Sequence, residues 1–298
     1  MVEFASILFS NDNLVFVGIN IIATWGVYVA FMTHQISLAQ GGFMAIGAYM
    51  AGAATVKWGM PLGMAIPVAI LSSGFIGVAF GYPALRTRGL YLVMVTLGLN
   101  EVIRVIFQNV PYWGGQLGFQ GMRGTTVGLV WTFVLILGIF IIMLEKSRFG
   151  KACRAIFEDE IASSTAGINI VYVKVASFGI GAAMGGLSGA LYAHYMFYIE
   201  PNNFGMMLSI QFLLYLILGG HQTFWGCALG VAILTYLPEY LRWAYQWRMV
   251  IYAILALVLV TLRPQGIITI ETSVKLKSFI NRLVAKLHGT LHNMDGGE

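Results

Sequence analysis

The chain has 298 residues, of which 58% are hydrophobic and only 10% are charged, and its mean hydropathy is +0.80. Soluble domains carry about 25% charged residues, so this composition excludes an ordinary soluble globule and predicts an integral membrane protein. The net charge of +5 does not indicate a nucleic-acid partner, because the basic residues are spread between apolar runs and form no continuous stripe.

Long runs without Asp, Glu, Lys or Arg predict about nine membrane spans. The first run, residues 13–56, divides into two spans at a polar turn around His34 and Gln35. The run at 201–238 would be about 57 Å long as one helix, nearly twice the ~30 Å hydrocarbon thickness, so we expect it to fold back between Gly219 and Gly226. Within it, residues 208–218 are short for a span and suit half of a discontinuous helix. One span each is predicted for 58–85, 124–144, 175–199 and 249–262, and the fourth span combines the run at 89–100 with the stretch TLGLNEVIRVIFQN that ends at Asn109.

The distribution of Lys and Arg predicts which way the spans run. If the loop at 145–169 is cytoplasmic, 12 basic residues lie on that side, 4 lie outside and Arg104 lies in the membrane. Arg86 and Lys151 then face the cytoplasm, while Lys57 and Arg123 face outside. The predicted fold is an all-α polytopic transmembrane bundle. Its expected parts are an extracytoplasmic N-terminus at 1–12, a membrane domain at 13–266 that includes the loop at 145–169, and a basic amphipathic cytoplasmic tail at 267–298 against membrane lipid.

A polar stripe interrupts the apolar pattern of the fourth predicted span. Glu101, Arg104 and Gln108 stand at positions i, i+3 and i+7, with Asn100 beside them, so they lie along one side of the helix. Two interpretations remain open: the stripe lines a translocation pathway, or Glu101 and Arg104 neutralise each other and lock neighbouring helices. At the start of the second span, Gln40 either offers hydrogen bonds to a polar solute or belongs to a packing cluster of glycines.

Three glycines recur at every fourth position of the sixth predicted span: Gly181, Gly185 and Gly189. This spacing clears one helix face of side chains, so a neighbouring backbone can approach closely. We therefore interpret the three glycines as a helix-packing face.

The sequence carries no signature of an enzyme active site. Its nearest approach to a P-loop, GFQGMRGTT at 118–126, lacks the required spacing and lysine. The five histidines form no H-E-x-x-H pair, and Cys153 and Cys227 match no metal-ligand spacing. We predict no catalytic residue, no cofactor and no metal site in this chain.

The loop at 145–170 is more organised than a linker requires. Phe149, Cys153 and Ile156 fall on one helical face, and Gly167 supplies a C-terminal stop. The pattern predicts one short surface helix that continues to Ala162 and is too short and too charged to span the bilayer. We interpret it as a docking element for a partner.

Six stretches in this order resemble the permease subunits of branched-chain amino acid ABC importers, specifically the M-type of the two paired permeases. They are SLAQGGFMAIGAY around Gln40, RTRGLYLVMVTLGLNEVIR ending at Arg104, SRFGKACRAIFEDEIASSTAGIN from Ser147, GGLSGALYA from Gly185, LGGHQTFWG from Leu218 and RPQG from Arg263. The match runs from about residue 37 to residue 266, which is most of the chain.

The resemblance implies a cytoplasmic coupling helix around Glu160, Ala162 and Gly167, where the family contacts its ATPase subunit. On this basis the residues assigned to that contact are Arg148, Gly150, Arg154, Glu158, Glu160, Ala162 and Gly167. The implied partners are a second, H-type permease, two cytoplasmic ATPases that bind ATP and Mg²⁺, and an extracytoplasmic substrate-binding protein. The implied location is the inner, cytoplasmic membrane of a bacterium or archaeon.

The implied function is ATP-driven, alternating-access import of branched-chain or other small neutral amino acids, with urea, short amides and small carboxylates as alternative cargoes. Two further functions remain open. A self-contained secondary transporter would use an ion gradient, with Glu101 as proton carrier, and a structural membrane subunit would have no pathway. The organised loop favours the importer, because a secondary transporter needs no ATPase contact, and the polar stripe argues against a purely structural subunit.

Overall fold

The computed structural model describes residues 11–85, 87, 89–240, 251, 254 and 257. In this part of the chain the helices are α1 Asn11–Phe31, α2 Gln40–Val56, α3 Leu62–Ala84, α4 Leu90–Asn109, α5 Val127–Lys146, α6 Arg148–Glu158, α7 Glu160–Thr165, α8 Ile170–Met196, α9 Met206–Gly219 and α10 Phe224–Tyr240. Short 3-10 turns occupy Pro111–Trp113, Gly115–Leu117 and Pro201–Phe204, and two short strands, β1 Phe119–Gln120 and β2 Tyr198–Ile199, pair antiparallel. The protein is an all-α membrane bundle, as predicted.

The longest described helix, α8, lies at the centre of the bundle and packs against α1, α2 and α3. Its glycines face the neighbouring helices, and a Cβ added at Gly181 or Gly189 would overlap a carbonyl oxygen across the interface. The contacts are Gly181 with Gly26 of α1, Gly185 with Phe43 of α2, and Gly189 with Met44 of α2. Because these positions carry no side chain, three helices approach each other almost backbone to backbone.

The predicted count of nine spans is not confirmed. Among the described residues, six segments are long and apolar enough to cross a membrane: α1, α3, α4, α5, α8 and the stretch Pro201–Gly219 that ends with α9. Helix α2 has 17 residues, and the apolar part of α10, Phe224–Leu237, is also short. Most of α2 is buried, and a helix enclosed by protein needs less length and hydropathy than one exposed to lipid.

Several other predictions concern residues outside the described part of the chain. These are residues 1–10 of the predicted N-terminus, the ninth predicted span at 249–262, apart from residues 251, 254 and 257, the basic tail at 267–298, and Arg86 and Arg88. The orientation of the bundle in the membrane therefore stays a prediction from charge alone.

Two helix breaks fall where the sequence predicts them. Helix α1 ends at Phe31 and α2 begins at Gln40, while α9 ends at Gly219 and α10 begins at Phe224. Helix α9 has 14 residues and is roughly 21 Å long, which is less than the ~30 Å hydrocarbon thickness. It follows the 3-10 turn Pro201–Phe204, which contacts α4, so α9 begins beside the polar stripe of that helix.

Candidate functional site

An ion pair lies in the C-terminal half of α4. Arg104 Nε donates to Glu101 Oε2 at 2.7 Å, and Arg104 Nη1 also donates to Asn202 Oδ1 at 3.0 Å. Glu101 Oε1 accepts a hydrogen bond from the backbone N–H of Met206 at 3.1 Å. The two charges are thus fixed to each other and to the chain that leads into α9.

Glu101 caps the N-terminus of α9 from another helix. The first N–H groups of a helix have no partner within the helix, and a residue such as Ser or Asp usually supplies one. Gly205 precedes α9 and has no side chain for this purpose, so the Glu101 carboxylate accepts the bond instead. The negative charge also suits the positive end of the α9 dipole.

Beside this pair is a cavity of about 450 Å³, which we call the Glu101 cavity. It lies between α4, the turn before α9 and the first turns of α9, and its described lining is Glu101, Arg104, Asn202, Asn203, Gly205, Met206, Met207, Leu208 and Gln211. The side chain of Glu101 is 33% exposed and that of Arg104 is 26% exposed. The cavity therefore combines a carboxylate, a guanidinium and amides with an apolar wall.

Asn100 lies beneath the cavity and connects three elements. Its Nδ2 donates to the Phe204 carbonyl oxygen at 3.4 Å, and Ser209 Oγ donates to its Oδ1 at 3.3 Å. The Ser209 hydroxyl in turn accepts from the Gly41 N–H at 2.8 Å, which adds α2 to the network. Asn100 is fully buried, so it holds α2, α4 and α9 together rather than facing the open cavity.

The structure separates the remaining polar residues of the predicted pathway. Gln40 is buried, and its Nε2 donates to the carbonyl oxygens of Ala23 at 2.9 Å and Gly181 at 3.4 Å, so it connects α2 to α1 and α8. Gln108 is half-buried two turns beyond Glu101, and the described lining of the Glu101 cavity does not include it. Of the five predicted residues, Glu101 and Arg104 alone lie in that described lining.

Three polar residues of the cavity lining were not predicted from the sequence. Asn202 and Asn203 follow a proline in the turn before α9, and Gln211 lies in the mostly apolar segment 208–218, which also contains Ser209 and Tyr215. Each gives a weak signal, because amides in a loop and isolated polar residues in an apolar helix are common. Their proximity to Arg104 follows from contacts across about a hundred residues of sequence, which no local pattern reports.

The predicted single surface helix is wrong, because the structure interrupts it at Asp159. Helix α6 ends at Glu158 and α7 begins at Glu160, with extended backbone between them. Asp159 Oδ1 accepts from the N–H groups of Ile161 at 2.8 Å and Ala162 at 3.0 Å, which makes it the N-cap of a new helix. The stretch predicted to couple to an ATPase, residues 147–169 and called the coupling segment below, therefore contains two short helices joined at Asp159.

Three of the predicted coupling residues have described contacts with the bundle, and five of the seven are exposed. Gly150 packs against the backbone of Leu144 and Glu145, Arg154 pairs with Glu145 at 3.3 Å, and Glu160 pairs with Lys174 of α8 at 2.8 Å. Arg154 is nevertheless 60% exposed, and the other exposed residues are Arg148, Glu158, Ala162 and Gly167. Ile161, next to Ala162, is 78% exposed, so α7 presents an apolar side chain outward.

The ends of the coupling segment explain its shape. Ser147 Oγ accepts from the Gly150 N–H at 3.2 Å and caps α6. After α7, the N–H of Ile168 donates back to the Ser163 carbonyl oxygen, and Gly167 has a φ of +81°. That backbone conformation is favourable for glycine and strained for most other residues.

The buried face of α6 contains Cys153. Burial raises the pKa of the Cys153 thiol to about 12, so the sulfur stays protonated and unreactive at neutral pH. Within the described part of the chain, no three His, Cys, Asp or Glu side chains converge as metal ligands would.

Comparison with known proteins identifies the family. A family model described as branched-chain amino acid transport system, permease component, matches residues 11–260. The chain is 29% identical over 287 residues to the high-affinity branched-chain amino acid transport system permease protein LivM of Salmonella typhimurium, covering 84% of this chain and 68% of LivM. LivM of Escherichia coli is 28% identical over 287 residues with the same coverage.

A more distant similarity extends to a second permease type. LivH of Salmonella typhimurium, also a high-affinity branched-chain amino acid transport system permease protein, is 27% identical over 268 residues, covering 78% of this chain and 85% of LivH. No solved structure matches the chain. With six apolar helices of spanning length in the described residues and a family match over most of its length, the chain belongs to the family of permease components of branched-chain amino acid transport systems.

Proposed function

We propose that this chain is one of two paired permeases of an ATP-driven importer, and that the Glu101 cavity is its part of the solute pathway. The proposed cargo is a branched-chain amino acid, the class that the names of its relatives give, or another small neutral amino acid. The partners are an H-type permease, two ATPases that carry ATP and Mg²⁺, and an extracytoplasmic binding protein. The proposed location is the inner membrane of a bacterium or archaeon.

One observation carries the pathway proposal: an ion pair in the C-terminal half of a membrane helix is partly exposed. Ionisable side chains in a bilayer face protein or water, because exposure to hydrocarbon is costly. Glu101 and Arg104 are 33% and 26% exposed, so water or a partner subunit must cover them. The cavity beside them, about 450 Å³, is within the ordinary size range of small-molecule sites.

The lining of the cavity suits an amino acid with an apolar side chain. The guanidinium of Arg104 has five N–H donors, and its bonds to Glu101 and Asn202 use two, so others can bind a carboxylate. Oxygens of Glu101 and Asn202 can accept from an ammonium group. Met206, Met207 and Leu208 form an apolar wall, and methionine adapts to side chains of different shape.

The coupling segment supplies the proposed contact with the ATPase. Its two helices are anchored to the bundle through Arg154 and Glu160, while Ile161 and Ala162 are exposed. A small residue beside an exposed apolar one suits insertion into a groove on a partner. Movement of the ATPases during ATP binding and hydrolysis would then be transmitted to the membrane helices, and the H-type permease would close the open side of the cavity.

A cysteine at position 211 tests the pathway. Gln211→Cys is introduced into a variant whose two native cysteines, both buried, are replaced by alanine, and uptake is measured in proteoliposomes that contain all partners. We expect a small thiol reagent to block uptake and excess cargo to slow the labelling. The matched control is Leu135→Cys on α5, where the native side chain is 67% exposed on an apolar helix. Labelling of position 211 that leaves uptake unchanged would contradict the pathway assignment.

A further inference from the structure

A cluster of four aromatic rings joins the coupling segment to the bundle. Phe157 of α6 stacks on His34, with ring centroids 4.9 Å apart and planes 25° apart, and it faces His221 at 6.3 Å and 29°. Phe31 contacts His221 at 5.2 Å and Phe157 at 5.8 Å. We call Phe31, His34, Phe157 and His221 the Phe157 cluster.

The members of the Phe157 cluster come from four separate segments. Phe31 ends α1, His34 lies in the turn to α2, Phe157 is in α6, and His221 is in the loop between α9 and α10. The ring of Phe157 therefore contacts residues of both turns from the coupling segment. Its neighbours in the cluster are not joined to α6 by sequence, so the contact depends on packing alone.

The backbone at His34 is unusual. Its φ is +60°, a region that residues other than glycine seldom occupy because of steric cost. Strained conformations persist where the surrounding structure holds them, and they are concentrated at sites that act in function. Here the conformation belongs to the residue whose imidazole stacks on Phe157.

His221 contributes an uncharged ring. Burial, and then the neighbouring His34, lower the pKa of His221, so its imidazole is neutral at pH 7. A neutral ring stacks on phenylalanine without needing a counter-charge, and contacts of this kind are directional, with centroids 4.5–7 Å apart.

Helix α9 extends from the Phe157 cluster to the Glu101 cavity. It ends at Gly219, two residues before His221, and begins at Met206, whose N–H is bonded to Glu101. Gly219 packs directly on the backbone of Gly226 in α10, so the loop between the two helices is held at its base. A helix of roughly 21 Å therefore connects the cluster to the cavity as one rigid element.

We propose that Phe157 is a positioning residue for transport, which transmits movement of the coupling segment through His221 to α9 and so to the Glu101 cavity. The proposal rests on the function proposed above. When an ATPase moves α6, the ring of Phe157 moves the loop that ends α9, and the N-terminus of α9 shifts against Glu101. The cavity is then opened or closed from the opposite end of the helix.

The test measures the ratio of cargo molecules transported to ATP molecules hydrolysed by the complete complex in proteoliposomes. If Phe157 had only a structural role, its substitution would not change this ratio in a complex that still assembles. We expect Phe157→Ala to lower the ratio about fivefold or more, the lower end of measured couplings between sites. Phe157→Tyr, which keeps the ring, should retain the ratio. His221→Phe should retain it as well, while His221→Ala should lower it.

Two controls make the outcome specific. Phe149→Ala changes another half-buried phenylalanine on the same helix and should leave the ratio unchanged. The double variant Phe157→Ala, His221→Ala should be no worse than either single change, because both act through one contact. If Phe157→Ala prevents assembly, Phe157→Leu, which keeps apolar volume without a flat ring, replaces it and should also lower the ratio.

The outcomes separate this inference from the proposed function. If the unchanged complex shows no ATP-driven uptake, the proposed function is wrong and this inference falls with it. If the unchanged complex transports but the assembled Phe157→Ala or Phe157→Leu complex keeps the normal ratio, the role of Phe157 is wrong and the proposed function stands. An equal loss in Phe149→Ala would also overturn the inference.

Discussion

Removing Glu101 alone should destabilise the protein more than removing Glu101 and Arg104 together. Glu101→Leu deletes the acceptor for Arg104 Nε and for the Met206 N–H, and it leaves the guanidinium with Asn202 as its remaining described partner. Leaving one charge of a fully buried pair without its partner costs about 3–5 kcal/mol. Because Arg104 is 26% exposed and keeps Asn202, we reduce that cost to about 2 kcal/mol here.

The helix cap adds a second cost. Loss of a capping acceptor at the N-terminus of α9 is worth about 1 kcal/mol, so Glu101→Leu should cost about 3 kcal/mol in total. In the double variant Glu101→Leu, Arg104→Leu the unpaired charge is gone, and the loss should fall to about 1 kcal/mol, mainly the cap. The free energies of unfolding should therefore be strongly non-additive.

The assay is equilibrium unfolding of the purified chain in detergent for the unchanged protein, both single variants and the double variant. Glu158→Gln, at an exposed position of α6, is the control and should change stability by less than about 0.5 kcal/mol. Cargo uptake is measured on the same variants after assembly, and the double variant should assemble without transporting. A double variant as unstable as the sum of the singles would refute the coupled pair, and normal uptake would refute its place in the pathway.

Four further predictions follow from the packing and the coupling segment. Gly167→Val should strain the end of α7, and Ala162→Trp should overfill the ATPase contact, so both should lower ATP-driven uptake in assembled complexes. In a separate variant, a cysteine at position 162 should crosslink to the ATPase. Gly189→Val should lower the unfolding midpoint sharply because its side chain would overlap the Met44 carbonyl, whereas Gly98→Ala, with open space around it, should not. The fold lowers the pKa of His221, so the stability that its neutral imidazole contributes is fully present when the pH is above about 6.5, the ordinary pKa of histidine, and is lost as the pH falls below that value. His221→Phe should remove that part of the pH dependence of unfolding. Cysteines at 57 and 151 should be labelled from opposite sides of the membrane by an impermeant thiol reagent, and labelling from one side would contradict the predicted orientation.

The features that the sequence predicts well are local ones. Glu101 and Arg104 pair as expected because residues three apart lie on one helix face. The helix breaks before Gln40 and after Gly219 follow polar or glycine-rich segments, which favour turns. Hydropathy also suffices for the class of fold, because lipid excludes nearly every architecture except a helical bundle or a closed barrel.

The features that it misses depend on which neighbour each residue meets. Asn100, Glu101 and Gln108 lie along one side of α4, yet Asn100 is buried under α9, Glu101 lies in an open cavity and Gln108 lies outside the described lining of that cavity. The surroundings change along a single helix, so a periodic stripe cannot be assigned to one environment. The cap that Glu101 provides for α9 joins residues 105 positions apart and has no local signature.

The break at Asp159 is a different kind of error. Its short acidic side chain before Ile161 and Ala162 is a typical N-cap, so a local signal was present in the sequence. The apolar periodicity of 149–156 favoured a longer helix, and a single residue of extended backbone was enough to end it. A helix prediction across an aspartate is therefore less secure than its periodicity indicates.

The energy source of transport tests the central claim most directly. Uptake of a radiolabelled branched-chain amino acid is measured in proteoliposomes that contain this chain, an H-type permease, two ATPases and the binding protein. The importer account predicts uptake that requires ATP and every partner and that continues when ionophores collapse the proton and sodium gradients. Uptake by this chain alone, driven by an imposed ion gradient and independent of ATP, would contradict it.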